Sequence, residues 1–163
     1  QLAGSLLRNN FKLTVYDLDP KTMENLSSKG ASISKNPKEL TQDADLIITC
    51  LPSPEICREV MESKDGVING LSKNKIWLEM STTDENEVKR IGKLVKQKKA
   101  FALDGPVSGG CHRADTGNIA IFVGGERSAF EKIFSALSAM GEKILHTGEL
   151  GSASVLKLSL IHI

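Results

Sequence analysis

Residues 104–110, with the sequence DGPVSGG, bring together an acid, a hydroxyl and three glycines. They follow an apolar run, residues 100–103, which predicts a buried strand. That strand should end at Gly105 and Pro106, because proline has no N–H to donate to a sheet. Beyond the proline, Ser108, Gly109 and Gly110 offer a hydroxyl and successive backbone N–H groups, which could bind a carboxylate or a phosphate. A plain strand-to-helix turn would have the same composition, so both interpretations remain open.

A second candidate residue is Asp17, which follows a β-rich run over residues 12–16. In dinucleotide-binding folds, an acid at the end of the second strand accepts hydrogen bonds from the adenosine ribose and repels the 2′-phosphate of NADP. Leu18 and not an arginine comes next, so Asp17 in this role would favour NAD. The alternative is an aspartate that only shapes the turn before Asp19 and Pro20.

These candidates need a scaffold, and the chain alternates between predicted strands and predicted helices. The strands cover residues 12–16, 45–51, 75–79, 100–103, 119–123 and 143–146, and the helices cover 21–29, a segment from 37, 55–62, 84–99 and 126–140. This alternation predicts an α/β fold with a mostly parallel sheet and helices on both faces. Ligands bind such sheets beyond the carboxyl ends of the strands, where residues 17–18, 51–54, 81–82 and 104–110 fall.

Composition excludes several classes of function. The 163 residues suffice for one domain with a real core, and the 40% apolar and 25% charged content is ordinary. A net charge of +1 predicts neither nucleic-acid nor membrane-surface binding, and no apolar run is long enough for a membrane span. Cys50, Cys57 and Cys111 have no metal-ligand spacing, so we expect no metal site, a reducing compartment and thiols that act as small apolar fillers.

Taken in order, the motifs of this chain resemble those of the β-hydroxyacid dehydrogenases. This family includes 3-hydroxyisobutyrate dehydrogenase, tartronate semialdehyde reductase and glyoxylate/succinic semialdehyde reductase. The resemblance covers nearly the whole chain. It is carried by VYD at 15–17, LPSP at 51–54, MST at 80–82, LDGPVSGG at 103–110, Gly117 with residues 119–125, and GELGSAS at 148–154 with Lys157.

The resemblance implies a Rossmann-type three-layer domain over residues 1–150, with residues 151–163 beginning the helix that leads to an all-helical domain. It implies that Lys157 is the catalytic lysine and that Ser108, Gly109 and Gly110 bind the substrate carboxylate. The implied cofactor is NAD, with NADP less favoured, and its site is lined by Leu51, Pro52, Ile56 and Thr82 in addition to Asp17. The implied partners are a small carboxylate substrate and further copies of the same chain, in the cytoplasm or the mitochondrial matrix.

The implied residue types suit the chemistry. When a hydride moves from a nicotinamide to an aldehyde or ketone, negative charge develops on the carbonyl oxygen. A lysine is protonated at neutral pH and can donate a proton to that oxygen. Oxidation of the alcohol would run the same transfer backwards.

Two departures from the family pattern lead to further expectations. Residues 1–3 align just after the family's Gly-rich loop, GxGxMG, so we expect the first strand and the helical domain to be missing and the chain alone to be inactive. The family has an asparagine four residues after the lysine, whereas this chain has Ile161. Residues 158–163 (LSLIHI) resemble a translated sequencing adapter, so we expect them to be non-native; the alternative is a true variant that lost the asparagine.

Two other classes of function compete with the dehydrogenase. One is a noncatalytic dinucleotide-sensing or protein-interaction module, and the other is an imine reductase of the same architecture. Imine reductases often replace the catalytic lysine, so Lys157 argues against that class. Retention of Ser108, Gly109 and Gly110 together with Lys157 argues against the noncatalytic module.

Overall fold

The computed structural model describes residues 2–108 and 119–162, so the predictions for Gly109, Gly110, Cys111 and Gly117 lie outside the described residues. The helices are α1 Leu2–Arg8, α2 Pro20–Ser28, α3 Pro37–Asp43, α4 Pro54–Glu62, α5 Glu85–Gln97, α6 Arg127–Lys132, α7 Phe134–Met140 and α8 Ser152–His162, with a short 3₁₀ turn at Val67–Asn69. The strands are β1 Thr14–Val15, β2 Ser32–Ile33, β3 Leu46–Thr49, β4 Ile76–Glu79, β5 Phe101–Asp104, β6 Val107–Ser108, β7 Ala120–Gly125 and β8 Lys143–Gly148. Within the described part of the chain, none of these helices is long and apolar enough to cross a membrane.

The main sheet is mostly parallel, which confirms the predicted α/β, Rossmann-type fold. β3, β4 and β5 run parallel side by side. β7 then pairs antiparallel with β5 and β6 along one edge and parallel with β8 along the other. β1 and β2 pair with each other in a separate parallel two-stranded sheet, which the sequence analysis did not foresee.

Local signals account for where several helices begin. Asp19, Asn36 and Ser53 each accept a hydrogen bond from a backbone N–H in the first turn of the following helix. A proline stands directly after each of them, at a position where a helix needs no backbone donor. These cap-and-proline pairs therefore set the starts of α2, α3 and α4.

Helices cover both faces of the main sheet, as the sequence predicted. On one face, Ile76 and Leu78 of β4 pack in a core cluster with residues of α1, α6 and α7. On the other, Trp77 packs in a second cluster with residues of α4 and α5. Because successive side chains of a strand point to opposite faces, β4 is buried on both.

The strand that precedes the glycine-rich segment ends at Asp104, directly before Gly105 and Pro106, as the sequence predicted. Leu103 pairs with Gly125, and Ser108 pairs with Ala120, so β5 and β6 follow β7 in one unbroken register. Pro106 removes one ladder donor, yet its carbonyl still accepts the Phe122 N–H at 3.3 Å. The predicted end of the strand at Gly105 and Pro106 is confirmed, whereas the second short strand β6, which pairs with β7 in the same register, was not predicted.

The helix predicted over residues 126–140 is interrupted at Ile133. Its φ of −102° and ψ of 8° leave the helical region and separate α6 from α7. The Ile133 N–H bonds to Phe130, three residues back, instead of four. Phe130, Ile133 and Leu137 are nevertheless all buried in the same core cluster.

Candidate functional site

A row of three buried polar residues crosses the carboxyl ends of the parallel strands. Thr49 of β3 pairs with Glu79 of β4, and Glu79 pairs with Asp104 of β5. Their exposed fractions are 6%, 1% and 0%. Buried carboxylates are costly unless they are hydrogen-bonded, so the partners of this row decide the local structure.

The Glu79 carboxylate accepts three hydrogen bonds from three segments. Its Oε2 accepts the Thr49 hydroxyl and the Cys57 thiol, each at 2.8 Å, and its Oε1 accepts the Ser81 N–H at 2.7 Å. Trp77 Nε1 donates in turn to Thr49 Oγ1 at 2.8 Å. Glu79 thus joins the end of β3, the helix α4 and the segment after β4.

The segments that follow β3 and β4 are also joined directly. The Leu51 N–H donates to the Ser81 hydroxyl at 2.7 Å. Around this bond, Leu51 is half-buried, Pro52 and Thr82 are exposed, and Ile56 is 36% exposed. The structure therefore brings the predicted cofactor-binding residues Leu51, Pro52, Ile56 and Thr82 to adjacent strand ends, with surface left for a ligand. We call these four residues the cofactor rim.

The thiol and hydroxyl groups near the rim differ in their burial and in their hydrogen bonding. Burial, reinforced by the negative charge of Glu79, raises the pKa of the Cys57 thiol, so Cys57 stays neutral and unreactive at neutral pH. Cys57 is thus the buried filler that the sequence predicted, whereas Cys50 is exposed.

The Thr83 hydroxyl is buried and has no hydrogen-bond partner within residues 2–108 and 119–160. Across those same residues, no cluster of acid, histidine and cysteine side chains could hold a metal ion.

Asp104 holds the start of α8. Its Oδ1 accepts the Gly151 N–H at 2.8 Å, and its Oδ2 accepts both the N–H and the hydroxyl of Ser154, at 2.8 and 2.9 Å. The first backbone N–H groups of a helix lack partners within it, and the helix dipole favours a negative charge there. The acid of the glycine-rich motif therefore caps a helix nearly fifty residues further along the chain.

Two of the predicted site residues, Lys157 and Ser108, lie a few residues beyond the Asp104 contact along α8 and along the chain into β6. Lys157 lies on α8 three residues after Ser154 and is half-buried. It forms no ion pair with any residue in the described ranges. Ser108 lies on β6, four residues after Asp104, and is also half-buried.

Asp17 lies apart from this hydrogen-bonded edge. It follows β1 of the two-stranded sheet and is exposed, and its Oδ1 accepts the Asp19 N–H at 2.9 Å. Leu18 is 84% exposed. The turn-forming interpretation of Asp17 is thus part of the structure.

Sequence reasoning missed two parts of this arrangement. Glu79 appeared only as the end of a strand, although a charged residue closing the otherwise apolar run Ile76–Glu79 was a usable signal. Asp104 appeared as a turn residue of the glycine-rich segment. Nothing in the local sequence names Gly151 and Ser154 as its partners.

A comparison with known protein families agrees with this fold, a Rossmann-type sheet with polar residues at its strand ends. Residues 1–148 match the family model described as the NAD binding domain of 6-phosphogluconate dehydrogenase. The chain belongs to this family. Its relatives include 3-hydroxyisobutyrate dehydrogenases, which confirms the predicted likeness of this NAD-binding domain to the β-hydroxyacid dehydrogenases.

Curated relatives match this NAD-binding domain along 96% of its length. An uncharacterized oxidoreductase of Bacillus subtilis is 35% identical over 157 residues, which cover 54% of that protein. A probable mitochondrial 3-hydroxyisobutyrate dehydrogenase of Dictyostelium discoideum is 31% identical, with 49% of its length covered. The NAD-dependent L-serine dehydrogenase of Pseudomonas aeruginosa is also 31% identical, with 53% covered. The chain spans about half the length of the curated relatives that it matches.

Solved structures share the fold of the domain. The 3-hydroxyisobutyrate dehydrogenase of Mycobacterium tuberculosis, determined with L-serine, superposes with a TM-score of 0.92 at 24% identity, over 98% of this chain and 54% of that one. An imine reductase from a Pseudomonas species superposes with a TM-score of 0.91 at 23% identity, over 99% of this chain and 56% of that one. At these identities the likeness concerns the fold alone.

Proposed function

We propose that the complete protein carrying this NAD-binding domain is an oxidoreductase that transfers a hydride between a nicotinamide cofactor and a small 3-hydroxy acid or its semialdehyde. One observation carries the proposal. The buried carboxylate of Asp104, at the end of β5, holds the start of α8, which bears Lys157. Ser108 follows Asp104 by four residues, on β6, which pairs with β7 in the same register as β5. A group that can bind a carboxylate and a group that can donate a proton therefore both follow from the segment around Asp104.

The relatives support the class of substrate. The names of two of them specify 3-hydroxyisobutyrate and L-serine, which are both small carboxylates with a hydroxyl on the third carbon. A site for either needs a carboxylate-binding segment and a proton donor about two carbons away. Ser108, with Gly109 and Gly110 after it, suits the first task, and the ammonium of Lys157, which has no ion-pair partner among residues 2–108 and 119–160, suits the second.

The cofactor rim fits a dinucleotide. Leu51, Pro52 and Ile56 offer apolar surface for the flat rings, and the exposed Thr82 offers a hydroxyl beside them. When bound, the nicotinamide supplies or accepts the hydride. The carboxylate of Asp17 would hold the ribose and disfavour a 2′-phosphate, which is why we propose NAD as the cofactor.

In the proposed hydride transfer, the residues of this chain would have separate roles. Ser108, Gly109 and Gly110 hold the substrate carboxylate and so orient the reacting carbon towards the rim. The Lys157 ammonium lies against the carbonyl oxygen and donates its proton as negative charge develops there. In the oxidative direction, the neutral amine of Lys157 accepts the proton of the substrate hydroxyl.

The test uses the full-length protein expressed from its complete coding sequence, with 3-hydroxyisobutyrate and L-serine as substrates. Lys157→Ala should lower kcat by about 10²–10⁴-fold while the affinity for NADH stays the same, because proton transfer acts only in the transition state. Ser108→Ala should chiefly raise KM. Lys93→Ala, at an exposed lysine of α5, is the matched control and should leave both constants unchanged.

Three results would count against the proposal. An unchanged kcat in the Lys157→Ala variant would remove that lysine from the mechanism. Reduction of a cyclic imine without oxidation of either hydroxy acid would indicate an imine reductase. Dinucleotide binding with no turnover of any of these compounds would indicate a noncatalytic module.

A further inference from the structure

We infer that Asp104 is a positioning residue, whose carboxylate sets where Lys157 stands relative to the Ser108 segment. The inference rests on the proposed role of Lys157. Asp104 itself is fully buried, so it acts through the helix that it holds and not through contact with a substrate.

The contact between the Asp104 carboxylate and the start of α8 is strong, as judged by the number, length and burial of its hydrogen bonds. Both oxygens are used, with three donors at 2.8–2.9 Å from Gly151 and Ser154. Ser154 is only 2% exposed, so water cannot easily replace these bonds. Hydrogen bonds to an ionised acceptor are roughly twice as strong as neutral ones.

For the placement of α8, the position of its capping residue in the fold matters more than the presence of a cap. Helices are usually capped by the residue just before them, as Asn36 caps α3. A local cap would stabilise α8 equally well but would leave it free to shift against the sheet. Because Asp104 belongs to β5, the same bonds that satisfy the helix also fasten it to the strand that leads to Ser108.

The backbone around Asp104 is shaped to allow this close approach. Gly124 is its partner across the β5–β7 pair. A side-chain carbon added at Gly124 would overlap the Asp104 carboxylate and would lie 2.6 Å from the Glu149 carbonyl and 2.7 Å from the Ser152 hydroxyl. The first turn of α8 therefore lies directly over a strand position that only glycine leaves open.

Helical geometry carries this anchor to Lys157. Residues three apart lie on the same side of a helix, about 4.5 Å apart along its axis. Ser154 faces the end of β5, so Lys157 extends from the same side one turn further on. A tilt or slide of α8 would move the lysine relative to Ser108 while leaving the cofactor rim, which Glu79 supports, in place.

The experiment uses the full-length protein and the variants Asp104→Asn and Ser154→Ala. Asparagine offers an amide donor where one of the backbone donors points, so α8 should shift and kcat should fall on the order of 10²-fold. Ser154→Ala removes only the hydroxyl bond and should lower kcat severalfold. The Kd for NADH should change less than twofold in both variants.

A double-mutant cycle separates positioning from general destabilisation. If Asp104 acts through Lys157, then adding Asp104→Asn to Lys157→Ala should leave kcat where Lys157→Ala alone puts it. Asn36→Ala removes an ordinary helix cap, so it should lower Tm without lowering kcat.

The results of these experiments distinguish a failure of the inference from a failure of the proposed function. If the two kcat losses multiply in the double variant, or if Asp104→Asn folds and keeps its kcat, the inference is wrong. If Asp104→Asn does not fold, the same cycle is run with Ser154→Ala and read in the same way. If Lys157→Ala keeps its kcat, the proposed function fails first, whatever Asp104 does.

Discussion

The Thr49 hydroxyl donates to the buried Glu79 carboxylate at 2.8 Å, across the paired ends of β3 and β4. The same hydroxyl accepts the Trp77 indole N–H, so its one proton is directed at Glu79. The Cys57 thiol donates to the same oxygen, Oε2, and the Ser81 N–H donates to the other oxygen, Oε1. The buried Glu79 carboxylate therefore supports the loops that form the cofactor rim.

Replacing Glu79 with glutamine should weaken dinucleotide binding without touching the ligand. The glutamine amide would point a donor at Ser81 N–H or at the Thr49 and Cys57 donors, leaving buried donors unpaired at a cost of about 1–3 kcal/mol. We expect the Kd for NADH to rise about tenfold in the full-length protein, equivalent to about 1.4 kcal/mol. Titration calorimetry measures this.

The exposed Glu59 of α4 provides the matched control, because it undergoes the same loss of charge near the same rim. Glu59→Gln should leave the Kd within a factor of two. Equal effects of the two substitutions would show that charge, and not the buried network, controls affinity.

Replacing Asp17 with asparagine should narrow the discrimination between the two dinucleotides. Asparagine keeps an acceptor for the Asp19 N–H but removes the charge that repels a 2′-phosphate. We expect the ratio of kcat/KM for NAD over NADP to fall about tenfold, or about 1.4 kcal/mol. Initial rates with each cofactor decide the matter. A wild-type protein that prefers NADP would contradict the assignment.

Gly124→Ala should destabilise the domain and disturb α8 in particular. The added carbon would meet the Asp104 carboxylate, the Glu149 carbonyl and the Ser152 hydroxyl, none of which can move freely. Overpacking of this kind costs about 1–3 kcal/mol. Urea unfolding of the chain measures the loss. Gly4→Ala in α1, where the added carbon would meet only the end of the Arg8 side chain, should be neutral or slightly stabilising.

Glu87 should make part of the stability depend on pH. Hydrogen bonds from Arg90 and Arg58, at 2.8 and 3.0 Å, lower the pKa of Glu87 from 4.5 to about 2. A lowered pKa in the folded state stabilises the protein above pH 4.5, and this contribution is lost as the pH falls from 4.5 towards 2.

Glu87→Gln should therefore lower Tm by about 1–4 °C at pH 7, and the difference should shrink steadily below pH 4.5. Scanning calorimetry from pH 7 to pH 3 tests this. Glu131→Gln, which breaks an exposed pair with Arg127, should change Tm less. A Tm difference for Glu87→Gln that persists unchanged at pH 3 would argue against the ion-pair network.

The sequence alone determined what depends on neighbours along the chain. The helices predicted from residues 21, 37 and 55 begin within one residue of α2, α3 and α4, because capping is a contact between residues two or three apart. The continuous apolar runs predicted buried strands, and the alternation of strands and helices predicted the α/β class. The motif strings likewise led to the family, since each string is local and their order is read directly.

Tertiary structure alone decided what depends on strand register and helix placement. β6 resumes the register of β5 after Gly105 and Pro106 because β7, more than ten residues away in the chain, pairs with both strands. Glu79 meets Thr49 and Cys57, and Asp104 meets Gly151 and Ser154, across separations of 22 to 50 residues. No local propensity encodes such pairs, because a buried carboxylate takes whatever donors the packed sheet and helices bring to it.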